Sequence, residues 1–327
     1  MSESIAQRAR AGDRRALARL LSEIENRTPN AEAALRELYR NAGTAHLVGL
    51  TGAPGSGKST LVAALVGEAR KSGRPVAVLA IDPSSPITGG AILGDRVRMQ
   101  EHAGDRDVFI RSMASRGHAG GLAGSTVAAA AVLDACGFPL VLIETVGTGQ
   151  SEVEIASIAD TTLVVQAPEM GDEVQAIKAG LLEVADMVVV NKADRPGADR
   201  AAAQLRGMLT VGAQHDRVMG DRPRPKRPQV LLASGLTGAG VADLLAALDR
   251  REEARRAALR EGEPDPSQLA RAEAQLAGIL AQRLTERLAE PGHHEQRQRS
   301  VRAIAAHELD PYAAADDLLS LLGDGKG

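Results

Sequence analysis

From His46 to about Arg250 the chain alternates between short apolar runs and Ala-rich stretches of helical period. The apolar runs are HLVGL before Thr51, PVAVLAI before Asp82, VFI before Arg111 and PLVLI before Glu144, then TTLVVQ around Leu163, MVVVN ending at Asn191 and QVLLAS ending at Ser234. They are rich in β-branched residues and lack polar alternation, which marks strands covered on both faces. With helices between them, the pattern predicts an α/β fold with a doubly wound, mostly parallel sheet. Right-handed crossovers then gather the C-terminal ends of the strands, and the loops that follow them, along one edge.

The flanks read differently. In residues 1–45 Leu17, Leu20, Leu21 and Ile24 recur at helical spacing, and Thr28-Pro29 reads as an N-cap followed by proline at the first helical position. A second helix through AEAALRELYR should stop near Asn41-Ala42-Gly43, giving a helical hairpin. After Arg250 strands disappear. A charged run leads to a break at EGEPDPS, with Ser267 expected to cap a helix whose apolar face carries Leu269, Leu276, Leu280, Leu284 and Leu288, and that ends at Pro291-Gly292. Two more helices are expected, through VRAIAAHEL and after Pro311. The organisation is thus a helical extension over 1–45, an α/β domain over 46–250 and a helical arm over 251–327. The Pro-rich, basic segment 220–229 reads as a solvated loop before the last strand.

Composition narrows the function classes. The formal net charge is −3, and Phe, Tyr and Trp make up only 1% of the 327 residues. A basic phosphate-gripping surface and aromatic stacking platforms for nucleic acid are therefore not expected. The single cysteine, Cys136, excludes an internal disulfide and a multi-cysteine metal site, and its apolar neighbours predict a buried, inert thiol. No signal-peptide core and no run of about 18 uncharged apolar residues is visible, so a cytoplasmic protein without membrane contact is the expectation.

The strongest chemical signal is Gly52-Ala53-Pro54-Gly55-Ser56-Gly57-Lys58-Ser59, which fits the phosphate-loop pattern G-x-x-x-x-G-K-[ST] between a predicted strand and a predicted helix. Backbone N–H groups around Gly55, Ser56, Gly57 and Thr60 would surround phosphate oxygens, Lys58 would reach the β- and γ-phosphates, and the Ser59 hydroxyl would ligate Mg²⁺. About 130 residues later comes Asn191-Lys192-Ala193-Asp194, at a strand end. A carboxylate at Asp194 can accept from N1–H and the exocyclic amine of guanine, whereas adenine leaves it unpaired. Asn191 and Lys192 would brace base and phosphate loop, and Ser234, Gly235 and Leu236 would turn backbone N–H groups toward the guanine carbonyl.

Between these lie acidic candidates for the metal and for nucleotide-dependent switching. Asp82 and Glu144 end strands, and carboxylates there suit Mg²⁺ and its waters. Glu144-Thr145-Val146-Gly147 stands where GTPases usually carry D-x-x-G, with Gly147 placed to donate to the γ-phosphate. Asp95, in a Gly-rich loop, either closes on the metal or is an ordinary loop residue. His118, in another, either approaches a ligand or is simply solvated. Thr148 follows Gly147 where a water-orienting Gln is common, and the nearest Gln is Gln150. Slow intrinsic hydrolysis, accelerated by a partner, is the expectation.

The segments GAPGSGKST, IDPSSPITGGAILGDRVRM, SRGHAGGLA, IETVGTGQSE, APEMGDEVQAIKAG and NKAD together resemble the MeaB/ArgK family of methylmalonyl-CoA mutase-associated GTPases. The resemblance runs over nearly the whole chain. It implies a G-protein chaperone that gates delivery of adenosylcobalamin from an adenosyltransferase to an acyl-CoA mutase, expels damaged cofactor and protects the mutase. It also implies a homodimer held largely by the C-terminal helices, metal-site and switch roles for Asp82, Asp95 and Glu144, and a further switch loop over 168–178 in which Glu173 and Lys178 face the partner. Two rival readings are a related GTPase of nickel-enzyme maturation, which would normally show Cys/His clusters, and an ATP-dependent kinase, which Asn191 and Asp194 disfavour.

Overall fold

The structure, a computed structural model, describes residues 3–83, 102, 104–115, 121–145, 154–168, 179–215, 228–260 and 266–323. All seven predicted strands form: β1 (His46–Thr51), β2 (Val76–Pro83), β3 (Val108–Ser115), β4 (Leu140–Thr145), β5 (Thr161–Gln166), β6 (Met187–Val190) and β7 (Gln229–Leu232). They make one sheet in the order β3-β2-β4-β1-β5-β6-β7, and every pairing is parallel. The strand order reverses at β1, which sits between β4 and β5, so the loop after β1 opens at a topological switch point.

Successive side chains along each strand enter different layers, which is what an uninterrupted apolar run provides. Val48, Leu50, Val76, Val78, Leu140, Leu142, Leu163 and Val165 pack with Leu61, Val62, Leu65 and Val66 of α4 (Lys58–Lys71), the helix that follows α1 (Ile5–Arg10), α2 (Arg14–Glu25) and α3 (Pro29–Leu38) in the chain. On the other face Ala77, Leu79, Val141 and Ile143 meet Ala129, Val132 and Leu133 of the helix Gly121–Ala135, while Val164, Val188 and Val190 meet Ala198, Ala202 and Leu205 of the helix Ala198–His215. Burying a Leu or Val on either face is worth about 1.5–3 kcal/mol, so the two layers fix the sheet independently of the site they support.

Aspartates tie down the starts of the strands. Asp134 accepts from the N–H groups of Thr44 and Ala45, Asp160 from Leu47 and Asp186 from Thr162. The long helix Val241–Arg260 is bolted to the same edge: Arg251 pairs with Asp186, Arg255 with Asp160 at 3.7 Å, and Arg256 donates to the carbonyl of Thr44. This helix runs without a break across position 250.

The N-terminal segment contains one more helix than the periodicity suggested. Ser4 and Gln7 form a reciprocal capping box at Ile5–Arg10, and Asp13 then caps Arg14–Glu25 through the N–H groups of Arg15 and Ala16. The six-residue piece is too short to show an apolar period, which is why only its cap could have announced it. Thr28 caps Pro29–Leu38 as expected, and a single 3₁₀ turn, Tyr39–Asn41, follows. Downstream, the helix Pro266–Leu288 begins at its proline rather than after Ser267, consistent with proline's fitness for the first helical turn. Pro291-Gly292 does not merely end that helix but opens Pro291–Ala305, and Pro311–Gly323 completes the arm. Ion pairs from Arg27 to Glu286 and from Arg283 to Glu32 connect the two flanking segments. Leu269, Leu276, Ile279, Leu280 and Leu284 are exposed on this single chain. Among the described residues no helix is long and apolar enough to cross a membrane.

His46, the first residue of β1, is fully buried, with Nε2 2.8 Å from the hydroxyl of Thr161. Burial pushes its pKa down from 6.5 to about 4. The unfolded chain therefore binds a proton here that the folded chain refuses. The associated stability is complete above pH 6.5 and is lost as pH falls toward 4, for a total of about 3 kcal/mol. Chemical denaturation at pH 7 and pH 4.5 should show a steeper acid loss for the natural chain than for His46→Gln. Equal slopes would refute the assignment.

Candidate functional site

The site grows from the loop between β1 and α4. Gly52 leaves the strand at φ 137°, and a Cβ there would stand 2.1 Å from the carbonyl oxygen of Val165 in β5, so only glycine lets the loop turn so close to the sheet. Gly55 and Gly57 also have positive φ. The first turn of α4 then aims its N–H groups and its dipole into the loop, the arrangement that attracts phosphate. Lys58 is buried, and its ammonium donates to the carbonyl oxygens of Gly52 at 2.7 Å and Ala53 at 3.2 Å, which arches it back over the loop.

One residue on, the hydroxyl of Ser59 donates to Glu144 Oε1 at 2.6 Å, and both side chains are buried. Parallel pairing explains the meeting: Glu144, near the end of β4, lies opposite Leu50 of β1, directly before the phosphate loop begins. β2 flanks β4 on its other side, with Ile81 opposite Thr145, so the backbone places Asp82 at the same sheet edge. The Asp82 side chain lies outside the described part of the structure, as do Asp95, His118, Gly147, Thr148, Gln150, Glu173 and Lys178 altogether. A hydroxyl and a carboxylate, adjacent and beside a phosphate loop, are the hard oxygen donors that Mg²⁺ prefers, so the residues present fit that ion.

The second half of the site follows β6 and β7. Asn191 is buried and works as a bracket: its Nδ2 donates to the carbonyl oxygens of Ser56 at 2.9 Å and Gly57 at 3.1 Å, and its Oδ1 accepts from the N–H of Gly235 at 3.0 Å. Lys192 occupies the left-handed region at φ 57°. That turn carries its Cε to within 3.8 Å of the position a Cβ on Gly57 would take, so its stem lies along the phosphate loop. Ser234 donates its hydroxyl to Asp194 Oδ1 and accepts from the N–H of Thr237. The Ser234 hydroxyl, first among the causes, holds the Asp194 carboxyl below its ordinary range, so the group is an acceptor at neutral pH.

The loop after β7 is narrower in function than the sequence suggested. The N–H of Ser234 donates to the carbonyl of Ala239 at 2.8 Å, and that of Gly235 is held by Asn191. Leu236, 81% exposed, carries the remaining N–H of the three without a protein partner among the described residues. Sequence reasoning had no means of assigning these bonds, since they depend on how the loop folds back on itself. Cys136, one residue past the helix Gly121–Ala135, is only partly buried where its apolar neighbours predicted full burial, and that burial raises its thiol to about pKa 11.

The phosphate loop, the bracket and the acidic partner of Ser59 can be compared with known proteins. The profile described as methylmalonyl-CoA mutase-associated GTPase MeaB matches residues 17–293. The chain belongs to the MeaB family. The GTPase ArgK of Escherichia coli is 37% identical over 75% of this chain and 73% of its own, and the methylmalonic aciduria type A homolog of Caenorhabditis elegans is 34% identical over 72% of this chain and 62% of its own. A Pyrococcus abyssi protein, described only by an assignment to the GTPases, is 42% identical over 99% of this chain and 98% of its own. A crystal structure titled LAO/AO transport system kinase superposes over 98% of this chain and 96% of that one, with a TM-score of 0.68 and 25% identity. The MeaB assignment agrees with the all-parallel sheet and with the helical segments on both sides of it.

Proposed function

We propose that this MeaB-family GTPase binds and hydrolyses GTP as a chaperone of an adenosylcobalamin-dependent acyl-CoA mutase of the methylmalonyl-CoA mutase type, gating cofactor loading and protecting or reactivating the mutase. The observation that carries the nucleotide reading is the Asn191 bracket, which joins the phosphate loop to the loop that holds Asp194. In this reading Gly55, Ser56, Gly57 and Thr60 hold the phosphates through backbone groups, and Lys58 neutralises charge that builds on the β- and γ-phosphates. Asp194 accepts from the guanine edge, the N–H of Leu236 donates to the guanine carbonyl, and the Lys192 stem covers the ring.

Ser59, Glu144, Asp82 and Asp95 would hold Mg²⁺, which when bound spreads the negative charge of the phosphates. Gly147 would sense the γ-phosphate. Thr148 supplies no amide to orient water, so a slow intrinsic rate and acceleration by the partner are part of the proposal. Glu173 and Lys178 would report the nucleotide state to the mutase, and an adenosyltransferase would supply the cofactor. The exposed leucines of Pro266–Leu288 support a homodimer through the C-terminal arm, because a stripe of four leucines is costly to leave in water. A cytoplasmic site of action is proposed with it.

The experiment that tests the partner is capture from an extract of the source cell with the tagged chain, once with GDP and once with a non-hydrolysable GTP analogue. Recovery of an acyl-CoA mutase in one nucleotide state is the expected result. Recovery of a nickel-enzyme precursor instead, in either state, would contradict the mutase assignment.

A further inference from the structure

At the end of the sheet opposite the phosphate loop, a cavity of about 400 Å³ opens between the α/β domain and the helix Pro266–Leu288. That volume falls in the range of small-molecule sites. Its apolar walls include Leu47 of β1, Ile158, Ala131 of the helix Gly121–Ala135 and Ala272 of Pro266–Leu288. The charged groups at its floor are matched within the protein. Asp134 accepts from the N–H groups of Gly43, Thr44 and Ala45 and from the Thr44 hydroxyl. Arg255 donates to both carboxylate oxygens of Glu252, at 2.7 and 2.9 Å, and faces Asp160 at 3.7 Å. Asp160 in turn accepts from the N–H of Leu47 at 3.0 Å. The polar groups with capacity to spare stand across from this floor. Gln268 and Gln275 share a helix face with Ala272, at the spacing i, i+4, i+7, and all three border the cavity. Neither glutamine side chain makes a hydrogen bond among the described residues.

We propose that this cavity is a second ligand site, separate from the nucleotide site, and that it takes a small uncharged molecule with a flat apolar body and a carboxamide head. Charge decides against ions of either sign. A carboxylate or an ammonium would shed its hydration shell and meet groups that already hold their counter-charges, so desolvation would go uncompensated. The shape follows from the walls: Ala131 and Ala272, one on each flanking helix, leave a slot that a ring can enter. The head group follows from the glutamines. A carboxamide carries two donors and one acceptor oxygen, as a glutamine side chain does, so the two can pair reciprocally. A ligand seated here touches the α/β domain and the C-terminal arm together, and by mass action it stabilises the folded chain. The site stands whether or not the guanine reading does, since no residue is shared between them.

The test uses the full-length chain and three probes of one size: benzamide, benzoate and benzylamine, which at neutral pH are uncharged, anionic and cationic. Saturation-transfer NMR titrations give the affinities, and thermal melts follow the stabilisation. Benzamide is expected to bind about tenfold or more tightly than either charged probe and to raise the melting point as it saturates. Ala272→Phe fills the slot from an exposed helix position and should weaken benzamide about tenfold or more. The double variant Gln268→Leu, Gln275→Leu keeps the bulk and removes the amides, and should weaken benzamide by about threefold to tenfold. Saturating GDP with Mg²⁺ should leave benzamide binding unchanged. Failure of benzamide to bind, binding no tighter than that of the charged probes, or displacement by GDP would overturn the proposal. So would affinities in both variants equal to that of the natural chain. Should Ala272→Phe itself lower the melting point of the free chain, the glutamine variant, which has no side-chain hydrogen bond to lose among the described residues, decides the outcome.

Discussion

Replacing Lys58 with alanine is expected to lower GTP turnover by at least about a hundredfold, the scale on which removal of one preorganised charge-stabilising group acts. The ammonium is buried at the start of α4 and held over the loop by the Gly52 and Ala53 carbonyl oxygens, so it is already placed where phosphate charge would sit. Alanine favours helix and leaves the first turn of α4 intact, so the loss should fall on binding and turnover rather than on folding. Single-turnover hydrolysis with saturating enzyme, alongside a thermal melt, separates the two. A rate within twofold of the natural chain would remove Lys58 from the catalytic assignment. A rate loss that merely tracks a collapse of the melting point would do the same.

The second large effect concerns base choice. Asp194→Asn should reduce GDP affinity by a hundredfold or more and raise affinity for xanthosine diphosphate, because Asp194, exposed in the chain alone, is covered by the bound base, and a covered group rejects a base that leaves it unmatched. Asparagine offers one acceptor and one donor where aspartate offers two acceptors. Xanthine keeps N1–H and replaces the exocyclic amine with a carbonyl, which the new amide can meet. The Ser234 hydroxyl that now donates to Asp194 can still donate to the Asn carbonyl oxygen, so the loop retains its anchor. Competition binding with GDP, xanthosine diphosphate and ADP reads the outcome. An Asp194→Asn chain that keeps its preference for GDP over xanthosine diphosphate would show that another group reads the base.

Most of the fold was legible because a parallel sheet buried on both faces writes itself into the sequence as apolar runs. β1 to β7 each coincide with one such run, and the Gly52-to-Ser59 motif needed only a strand before it and a helix after it. Helix ends were less legible where a proline can either stop one helix or start the next. Pro291 does the second, and Pro266 starts a helix one residue before the serine chosen as its cap. The short helix Ile5–Arg10 left a trace only in its Ser4–Gln7 capping box.

At the site, residue types were legible and their connections were not. Ser59 and Glu144 are 85 positions apart and meet through the register of β1 against β4. Asn191 could be recognised from its motif, but its bracket between Ser56, Gly57 and Gly235 requires that the ends of β6 and β7 fold over α4. The contact of Gly235 with Thr60 and Leu61 has no sequence signal beyond the glycine itself.

The proposed guanine-nucleotide switch serving a cobalamin-dependent mutase is best tested by GTP turnover. Steady-state hydrolysis is measured with Mg²⁺ for the chain alone and with increasing amounts of a purified adenosylcobalamin-dependent acyl-CoA mutase from the same organism. Slow turnover alone, a rise of tenfold or more that saturates with the mutase, and no comparable ATP hydrolysis are the expected results. Fast turnover by the isolated chain, or a rate the mutase leaves unchanged, would contradict the proposal.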